Sequence, residues 1–235
     1  MKRARKKLGV ITTIIVAIAV AFTVTWLLAG DDGKQEIVET FMYEEPSNDL
    51  QERQIDWEAL PPEVIAWVEV PGTNIDEPVV QATPDAPNAY LYKDALGQGA
   101  YGTPYIDCEC SLDSPFVMVY GHHMSDGSAF ADFASFIDEE YARGHKRIIV
   151  YERTGETHDL NVVAVDVVNA SREKLKISQA AEFDERIAAC DFILQNTSEP
   201  EKLWSFATCS YQTWNSRTIV YALDSHVIGL TDMYQ

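Results

Sequence analysis

The sequence predicts a mainly β protein, a closed eight-stranded barrel carried by a single N-terminal membrane-spanning helix. Two observations predict the barrel: short apolar runs recur along the chain after residue 55, and turn sequences such as Pro71-Gly72 separate them. A third observation predicts the helix, because one uncharged run near the N-terminus is long enough to cross a bilayer. With 46% hydrophobic residues, the 235-residue chain can form one domain with a sizeable core beside this helix.

The N-terminal segment has the features of an uncleaved membrane anchor. Five basic residues lie within residues 1–7, an uncharged run spans residues 8–30, and acidic residues follow it. The run is long for a signal-peptide core and has no clear Ala-x-Ala site, although the small residues Ala29 and Gly30 leave a cleavable signal as the alternative. The positive-inside rule places residues 1–7 in the cytoplasm and everything after Gly30 outside it. We therefore expect a single-pass protein of the cell membrane.

The segment after the anchor is acidic and polar. We expect residues 31–54 to form a stalk or a weak N-terminal helix, and residues 55–235 to form the folded domain. Trp57, Leu60 and Val64 recur at helical spacing around Pro61-Pro62, which predicts a short helix before the first strand.

Charge excludes one class of partner. All 37 acidic residues but only 13 of the 18 basic ones follow Gly30, so the part beyond the anchor has a net charge of 13 minus 37, or −24. Phosphate backbones would repel such a surface, which argues against nucleic-acid binding. Gly97-Gln98-Gly99 lacks the strand-turn-helix context of a phosphate loop, and no strong metal motif is present, so we expect no cofactor.

Apolar runs and turns define eight candidate strands. They span residues 66–70, 75–81, 103–107, 115–120, 147–151, 160–168, 203–208 and 218–223. Two stretches have helical spacing instead: residues 128–137, with Phe130 and Phe133 on one face, and residues 178–194, with Ser178 as a plausible cap. The second helix lies in the connection that leads to the strand at residues 203–208.

Three reactive side chains lie at predicted strand ends. Cys209 ends one apolar run, Arg217 begins the next, and His122 follows the run at residues 115–120. A thiol, an imidazole and a guanidinium together are the components of an acyl-transfer site. Each also has an ordinary structural interpretation, because a cysteine on an apolar strand is usually packed in the core and an arginine at a strand edge is often a surface charge.

These residues carry a resemblance to the sortase family, and most closely to its class B. Residues 120–130 read Tyr-Gly-His-His-Met-Ser-Asp-Gly-Ser-Ala-Phe, similar to the class B Tyr-Gly-His-Asn-Met-x-Asp-Gly-Ser-Met-Phe. The segment that ends at Cys209 resembles the family's Thr-Leu-Ser-Thr-Cys, which is likewise followed by an arginine, and residues 66–81 match the early segment of that class. The three matches occur in family order and extend over most of the chain from Trp57 to Ala222.

The resemblance implies a sortase-type barrel and a role for each reactive residue. Cys209 would attack a peptide carbonyl to give a thioacyl enzyme, His122 would act as general acid and base, and Arg217 would stabilise the oxyanion or the substrate backbone. His123 is the rival histidine, but only His122 directly follows Gly121 as in the family motif. We expect substrate contacts from the residues around the nucleophile, namely Ala207, Thr208 and Tyr211.

The same resemblance implies the partners. Class B sortases cleave an Asn-Pro-x-Thr-Asn-like sorting signal on surface proteins and transfer the acyl group to an amine of the cell-wall precursor, whereas some related enzymes build pili. Two alternatives remain open: a membrane-anchored cysteine peptidase that only hydrolyses, and a sortase-like binding or assembly module without turnover.

The chain departs from the family pattern near the site. Ser205, Phe206 and Ala207 replace Thr, Leu and Ser, so a small hydroxyl two residues before the nucleophile is missing. Ser210 follows the nucleophile where some relatives have an acid, which argues against a Cys-His-Asp triad built there. Ala129 replaces the usual Met, a change that affects packing more than chemistry.

The other three cysteines allow more than one interpretation. If Cys209 stays reduced, then Cys108, Cys110 and Cys190 are an odd number, so at most one disulfide can form among them. The Cys108-x-Cys110 pair could hold a metal with a histidine, but the second ligand pair of a structural zinc site is missing. Free, packed thiols are the prediction that we prefer.

Overall fold

The computed structural model describes residues 53–97, 102–171, 175, 177, 179–210 and 215–225. The predicted cytoplasmic tail, membrane anchor and stalk, and the predicted helix within residues 31–54, lie almost wholly outside these residues. No helix in the described ranges is long and apolar enough to cross a bilayer.

The described chain contains nine strands and two α-helices. The strands are β1 Val64–Glu69, β2 Asp76–Gln81, β3 Tyr105–Ile106, β4 Phe116–Gly121, β5 Arg147–Glu152, β6 Thr157–Asn169, β7 Phe192–Ile193, β8 Leu203–Cys209 and β9 Ser216–Asp224. The helices are α1 Glu139–Gly144 and α2 Phe183–Ala188, and 3₁₀ helices span Ala89–Leu91, Ala131–Ile137 and Ala180–Glu182.

The sheet closes on itself, which confirms the eight-stranded barrel. Its strand order is β5-β1-β2-β3-β4-β8-β9-β6, and β6 pairs with β5 to complete the ring. The short strand β7 is a ninth strand, which pairs with β6 beside residues 164–165. All pairs around the ring are antiparallel except β2 with β3 and β4 with β8. The parallel pair β4–β8 brings the carboxyl ends of both strands to the same end of the barrel.

Alternating side chains give the barrel an interior and a covered outer face. On β8, Trp204 and Phe206 belong to the interior core, whereas Leu203 and Ala207 belong to a second apolar cluster outside the barrel. This alternation follows from the period of two in a strand. Helix α2 covers the outer cluster, where its Phe183 is fully buried.

The helix predicted after the histidine motif is present in a tighter form. Ala131–Ile137 is a 3₁₀ helix rather than an α-helix, and it packs on β8 and β9. Phe133 and Phe136 from this turn are fully buried in the interior core. Helix α1 follows directly, although the sequence pattern did not predict it.

The helix predicted over residues 178–194 is shorter in the structure. The 3₁₀ turn Ala180–Glu182 and α2 end by Ala188, and the chain then becomes extended to form β7. The reason is a tertiary contact: the Asp191 carboxylate accepts a hydrogen bond from the backbone N–H of Val167 on β6 at 2.9 Å. Pairing with β6 therefore competes successfully with helix continuation. The predicted cap Ser178 lies outside the described residues.

The prediction of a short helix around residue 57 was wrong. Residues 57–60 form a turn, and Val64 already belongs to β1. Pro61-Pro62 lacks two backbone donors, which prevents a regular helix there. The side chains of β1 alternate strictly between buried and half-buried positions, so its apolar residues follow the period of a strand.

Candidate active site

Three adjacent strands bring Cys209, His122 and Arg217 to one end of the barrel. In the parallel pair, Gly121 of β4 lies beside Thr208 of β8, so the next residues on the two strands are His122 and Cys209. In the antiparallel pair, Cys209 lies directly opposite Arg217 of β9. Because β8 lies between β4 and β9, the thiol has the imidazole on one side and the guanidinium on the other.

The side chains of Cys209 and Arg217 lie on the outer face of the barrel. Ala207, two residues before the thiol, and Ile219, two residues after the guanidinium, both belong to the outer apolar cluster. Residues two apart on a strand share a face. The two side chains therefore project away from the packed interior.

A cleft of about 640 Å³ contains all three groups. Cys209, His122 and Arg217 line it together with Ala207 and Thr208. Its remaining walls come from the segment that precedes β3, from the ends of β3 and β4, and from the chain that follows β6: Pro84, Pro87, Asn88, Tyr90, Leu91, Thr103, Tyr105, Asp107, Cys108, Glu109, Tyr120, Gly121, Ala170 and Leu175. Its volume is within the range of small-molecule and peptide sites.

His122 is fixed by a main-chain carbonyl. Its Nε2 contacts the backbone oxygen of Leu91, which ends the 3₁₀ turn Ala89–Leu91. A carbonyl oxygen can only accept, so Nε2 must carry a proton in this contact. The second ring nitrogen, Nδ1, is then the atom available for proton transfer. The Tyr92 ring lies 6.2 Å from the imidazole and is 78% exposed at the cleft edge.

Gly102 keeps the carbonyl of Leu91 in place. Its φ of +72° lies in the left-handed region, and an added Cβ would lie 2.7 Å from the Leu91 carbonyl carbon and closer still to the oxygen. A side chain at Gly102 would therefore displace the group that holds His122. The contact of this glycine with the histidine support has no signature in the sequence.

His123, the rival histidine, has a different contact. Its Nδ1 lies 2.8 Å from the backbone oxygen of Cys209, and this nitrogen must donate because the oxygen accepts. Among the described residues, those that line the cleft include His122 and not His123. The structure therefore places His122 at the reactive face and His123 beside the main chain of the nucleophile.

The cleft combines one cation with an acidic wall. Among the described lining residues, Arg217 is the only lysine or arginine, whereas Asp107 and Glu109 are acidic. Burial raises the pKa of Tyr120, and Asp107, to which its hydroxyl is hydrogen-bonded, raises it further. Burial likewise raises the pKa of Tyr105, followed by the nearby Asp107 charge. Both tyrosines therefore remain neutral hydrogen-bonding groups in the cleft at physiological pH.

The match to a known protein family identifies the family of this chain. Residues 68–225 match the model of the sortase domain family, which is more than half of the chain. The chain belongs to the sortase family.

Solved structures and a curated relative add the class. A sortase B from Clostridium perfringens is 27% identical with a TM-score of 0.59, and the match covers 68% of this chain and 93% of that one. A Streptococcus pyogenes class B sortase involved in pilus biogenesis is 25% identical with a TM-score of 0.59, covering 70% and 93%. The sortase B of Listeria monocytogenes is 25% identical over 139 residues, or 57% of this chain. The chain spans about half the length, 55%, of that relative.

Two of the three residues of this sortase that are predicted to contact the substrate, Ala207 and Thr208, line the cleft. Ala207 lies on the outer face, buried at the floor of the cleft. Thr208 lines the cleft but is 1% exposed, and its hydroxyl has no hydrogen-bond partner among the described residues. Tyr211 lies outside the described residues. The structure therefore describes the positions of Ala207 and Thr208 only.

All four cysteines of the sortase are free thiols. Cys110 contacts the main chain of Asp107 and Met118, and Cys190 donates to the carbonyl of Arg186 at 3.4 Å. Burial raises the pKa of Cys190 to about 12.

One group in the described part of the chain has the spacing of a metal site. Glu152, Glu156 and His158 offer ligand atoms within 4.8 Å of one another, on the β5–β6 hairpin. His158 Nε2 and Glu152 Oε1 already form a contact of 2.8 Å, which accounts for two members of the group. Cys108 and Cys110 do not belong to it.

Sequence reasoning missed the parts of the site that support the histidine. The carbonyl of Leu91, the exposed ring of Tyr92 and Asp107, the partner of Tyr120, come from segments without a family motif in the sequence. Their only sequence signal was the cluster of turn residues Pro84, Pro87 and Asn88, which is typical of a structured loop.

Proposed function

We propose that this protein is a membrane-anchored class B sortase that acts as a cysteine transpeptidase on the C-terminal sorting signals of surface proteins. The observation that carries the proposal is the strand register, which sets Cys209 between His122 and Arg217 in a single cleft. Membership of the sortase family, whose members are cysteine transpeptidases, supports the same reaction.

In the first step, Cys209 Sγ bonds to the carbonyl carbon of the scissile peptide bond. The C–N bond then breaks, leaving a thioacyl enzyme and a free amine. His122 gives its Nδ1 proton to the departing nitrogen, while its Nε2–H remains bonded to the Leu91 carbonyl. The proton that His122 donates from Nδ1 comes from the Cys209 thiol, which loses it as Sγ bonds to the carbonyl carbon.

Arg217 stabilises the negative charge that develops on the carbonyl oxygen. It lies opposite Cys209 across the β8–β9 pair, and its Nη1 donates to the Ser216 carbonyl at 3.0 Å, which anchors the guanidinium at the strand start. As the only Lys or Arg among the described lining residues, it supplies the positive charge of the cleft. Loss of a single oxyanion donor typically lowers kcat by about 100-fold to 1000-fold.

In the second step, an amine attacks the thioester carbon and releases Cys209. His122 Nδ1 takes a proton from this amine, which restores the starting state. The acceptor is an amine of the cell-wall precursor or of a pilin, and the donor signal is Asn-Pro-x-Thr-Asn-like. The involvement of the Streptococcus pyogenes relative in pilus biogenesis supports the pilin alternative for the acceptor.

The location of the reaction follows from the N-terminal sequence. Residues 8–30 anchor the protein in the cell membrane, the basic residues 1–7 lie in the cytoplasm, and the catalytic domain lies outside. This arrangement places the cleft on the side of the membrane where the cell wall is built.

The test uses the full-length protein in mild detergent, a library of sorting-signal peptides and triglycine as the acceptor. Mass spectrometry identifies the products, with Cys209→Ala as the control for the thiol. Arg217→Lys and Arg217→Ala then separate the charge from the fork of the guanidinium. We expect activity to fall in both variants, and further in Arg217→Ala, because the lysine ammonium keeps the charge but cannot reproduce the two parallel donors of the planar fork.

A cleaved peptide joined to triglycine, absent with Cys209→Ala, would establish transpeptidation and identify the signal. Hydrolysis that triglycine does not divert would favour the peptidase alternative. Failure to obtain any Cys209-dependent product across the library would favour the binding module.

A further inference from the structure

The backbone carbonyl of the nucleophile has an unusual partner. His123 Nδ1 donates to the Cys209 oxygen at 2.8 Å, and both residues are half-buried. The contact joins two residues 86 positions apart in the chain. It connects the loop after β4 directly to the residue that carries the thiol.

The direction of this carbonyl follows from the alternation along β8. Leu203 N–H donates to the Pro115 carbonyl, on the β4 side, whereas Ser210 N–H donates to the Ser216 carbonyl, on the β9 side. The N–H and C=O of one residue point to the same side of a strand, and the side alternates from residue to residue. Cys209 is an odd-numbered residue like Leu203, so its carbonyl points toward β4.

The ladder on that side ends before the carbonyl is reached. The last parallel pair is Gly121 with Thr208, and a continued ladder would offer the backbone N–H of residue 123 to the Cys209 carbonyl. The chain instead turns into its own loop, where Phe130 N–H donates to the His122 carbonyl and His123 pairs with Ala129. The side chain of His123 therefore takes the place of the missing backbone donor.

We infer that His123 is a positioning residue that fixes the main chain of Cys209 through its Nδ1–H, so that the thiol faces His122 and the cleft. The inference extends the proposed function, since it names a further residue needed for the same reaction. A carbonyl left without this donor would allow the last residue of β8 to rotate, because the Cys209 N–H and C=O both face β4 and the neighbouring hydrogen bond to β9 comes from Ser210.

A matched pair of substitutions isolates the donor. Asn Nδ2 lies one bond beyond Cγ, as His Nδ1 does, so His123→Asn can place an N–H at the same position. His123→Leu has the same number of side-chain heavy atoms as the Asn variant but no donor. We expect kcat of full-length His123→Asn to stay within about threefold of the wild type, and kcat of His123→Leu to fall about tenfold with KM little changed.

A second readout does not depend on any sorting signal. Alkylation of Cys209 by iodoacetamide, followed on its own peptide by mass spectrometry, should be about fivefold slower in His123→Leu and unchanged in His123→Asn. If no peptide is turned over even by the wild type, this difference would still support the positioning role while the proposed function failed. His145→Leu is the control, because it removes a similar Nδ1 contact, of 2.8 Å to the Tyr141 carbonyl, outside the cleft. It should leave both readouts unchanged.

Equal behaviour of the Asn and Leu variants, whether both active or both impaired, would overturn the inference. Nitrogen NMR of the wild-type protein keeps it testable if His123→Leu does not fold. The ring of His123 should be protonated at Nδ1 at pH 8, and a ring protonated only at Nε2 would also overturn it.

Discussion

Gly121, the residue before His122, is a position where a single added methyl group should disturb the site by steric clash alone. The backbone of Gly121 faces the ring of Phe130, and an added Cβ would lie 2.8 Å from Phe130 Cβ and closer still to two ring carbons. Its φ is not in the left-handed region, so the cost of Gly121→Ala is steric rather than conformational.

The structure gives this cost a magnitude. Phe130 is fully buried and cannot move freely, because its ring meets that of Phe133 edge-on at 4.9 Å and that of Phe206 at 6.4 Å. Overpacking in a dense core typically costs about 1–3 kcal/mol, and we expect Gly121→Ala near the upper end, about 3 kcal/mol. Because the shift begins one residue before His122, kcat should fall as well.

Urea unfolding, followed by tryptophan fluorescence, measures the change, and Gly144→Ala is the matched control. Gly144 ends α1 and an added Cβ there meets nothing within 4 Å, so this variant should be neutral or stabilised by up to about 1 kcal/mol. In Gly121→Ala combined with Phe130→Leu, the smaller side chain should relieve the clash. The double variant should be at least about 1 kcal/mol more stable than additivity allows. Additive effects, or equal stability of the two Gly→Ala variants, would refute the reasoning.

Three further predictions test the buried polar groups. Thr218→Val should raise the free energy of unfolding by about 1 kcal/mol, because the buried Thr218 hydroxyl has no partner among the described residues. Thr103→Val should lower it, because the Thr103 hydroxyl accepts from Ala95 N–H at 2.8 Å. Burial raises the pKa of Glu77 above 4.5, so the folded state keeps the carboxyl proton to a higher pH than the unfolded state does. The free energy of unfolding should therefore fall as the pH rises from 4.5 through the raised pKa. Glu77→Gln should flatten this decline in urea titrations at a series of pH values. Burial raises the pKa of Cys190 to about 12, so iodoacetamide should hardly label it at pH 8 in the folded protein and should label it readily once urea unfolds the chain.

The eight barrel strands could be predicted because each has a run of apolar residues bounded by turns. Their ends differ from the prediction by at most three residues, as at β9, which begins at Ser216 rather than at residue 218. Helix α1 was missed although a signal was present: the Asp138 carboxylate caps it by accepting from Tyr141 N–H at 3.0 Å, and Glu139 and Glu140 follow in the first turn.

Strand β7 could not be predicted in the same way. It has two residues, Phe192 and Ile193, which are too few to show a period and which continue the helical spacing of α2. Contacts with β6 favour the extended chain there: Asp191 accepts from Val167 N–H, 24 positions away, and Leu194 N–H donates to the Val163 carbonyl at 2.8 Å. Contacts between distant residues override local propensity, and single-sequence patterns do not record them.

The sequence predicts those residues of the site that lie at strand ends or in motifs. Cys209, His122 and Arg217 could be named because each adjoins an apolar run, whereas the Leu91 carbonyl that fixes His122 is a backbone atom without a sequence signature. The sequence motif presents His123 only as a competitor of His122 for the role of general base. Its contact with the Cys209 carbonyl depends on where the β4–β8 ladder ends, which no local pattern determines.

The packing of the interior and the geometry of the site depend on the same register. A slip of one residue in β8 would turn Cys209 into the barrel and move Trp204 and Phe206 out of the core, because side chains alternate with a period of two. Exposing both buried rings costs several kcal/mol, which exceeds what any single contact of the thiol could supply. The large interior side chains of β8 therefore hold Cys209 at the outer face between its two neighbouring strands, and the acyl-transfer groups need only occupy the strand ends that this packing already defines.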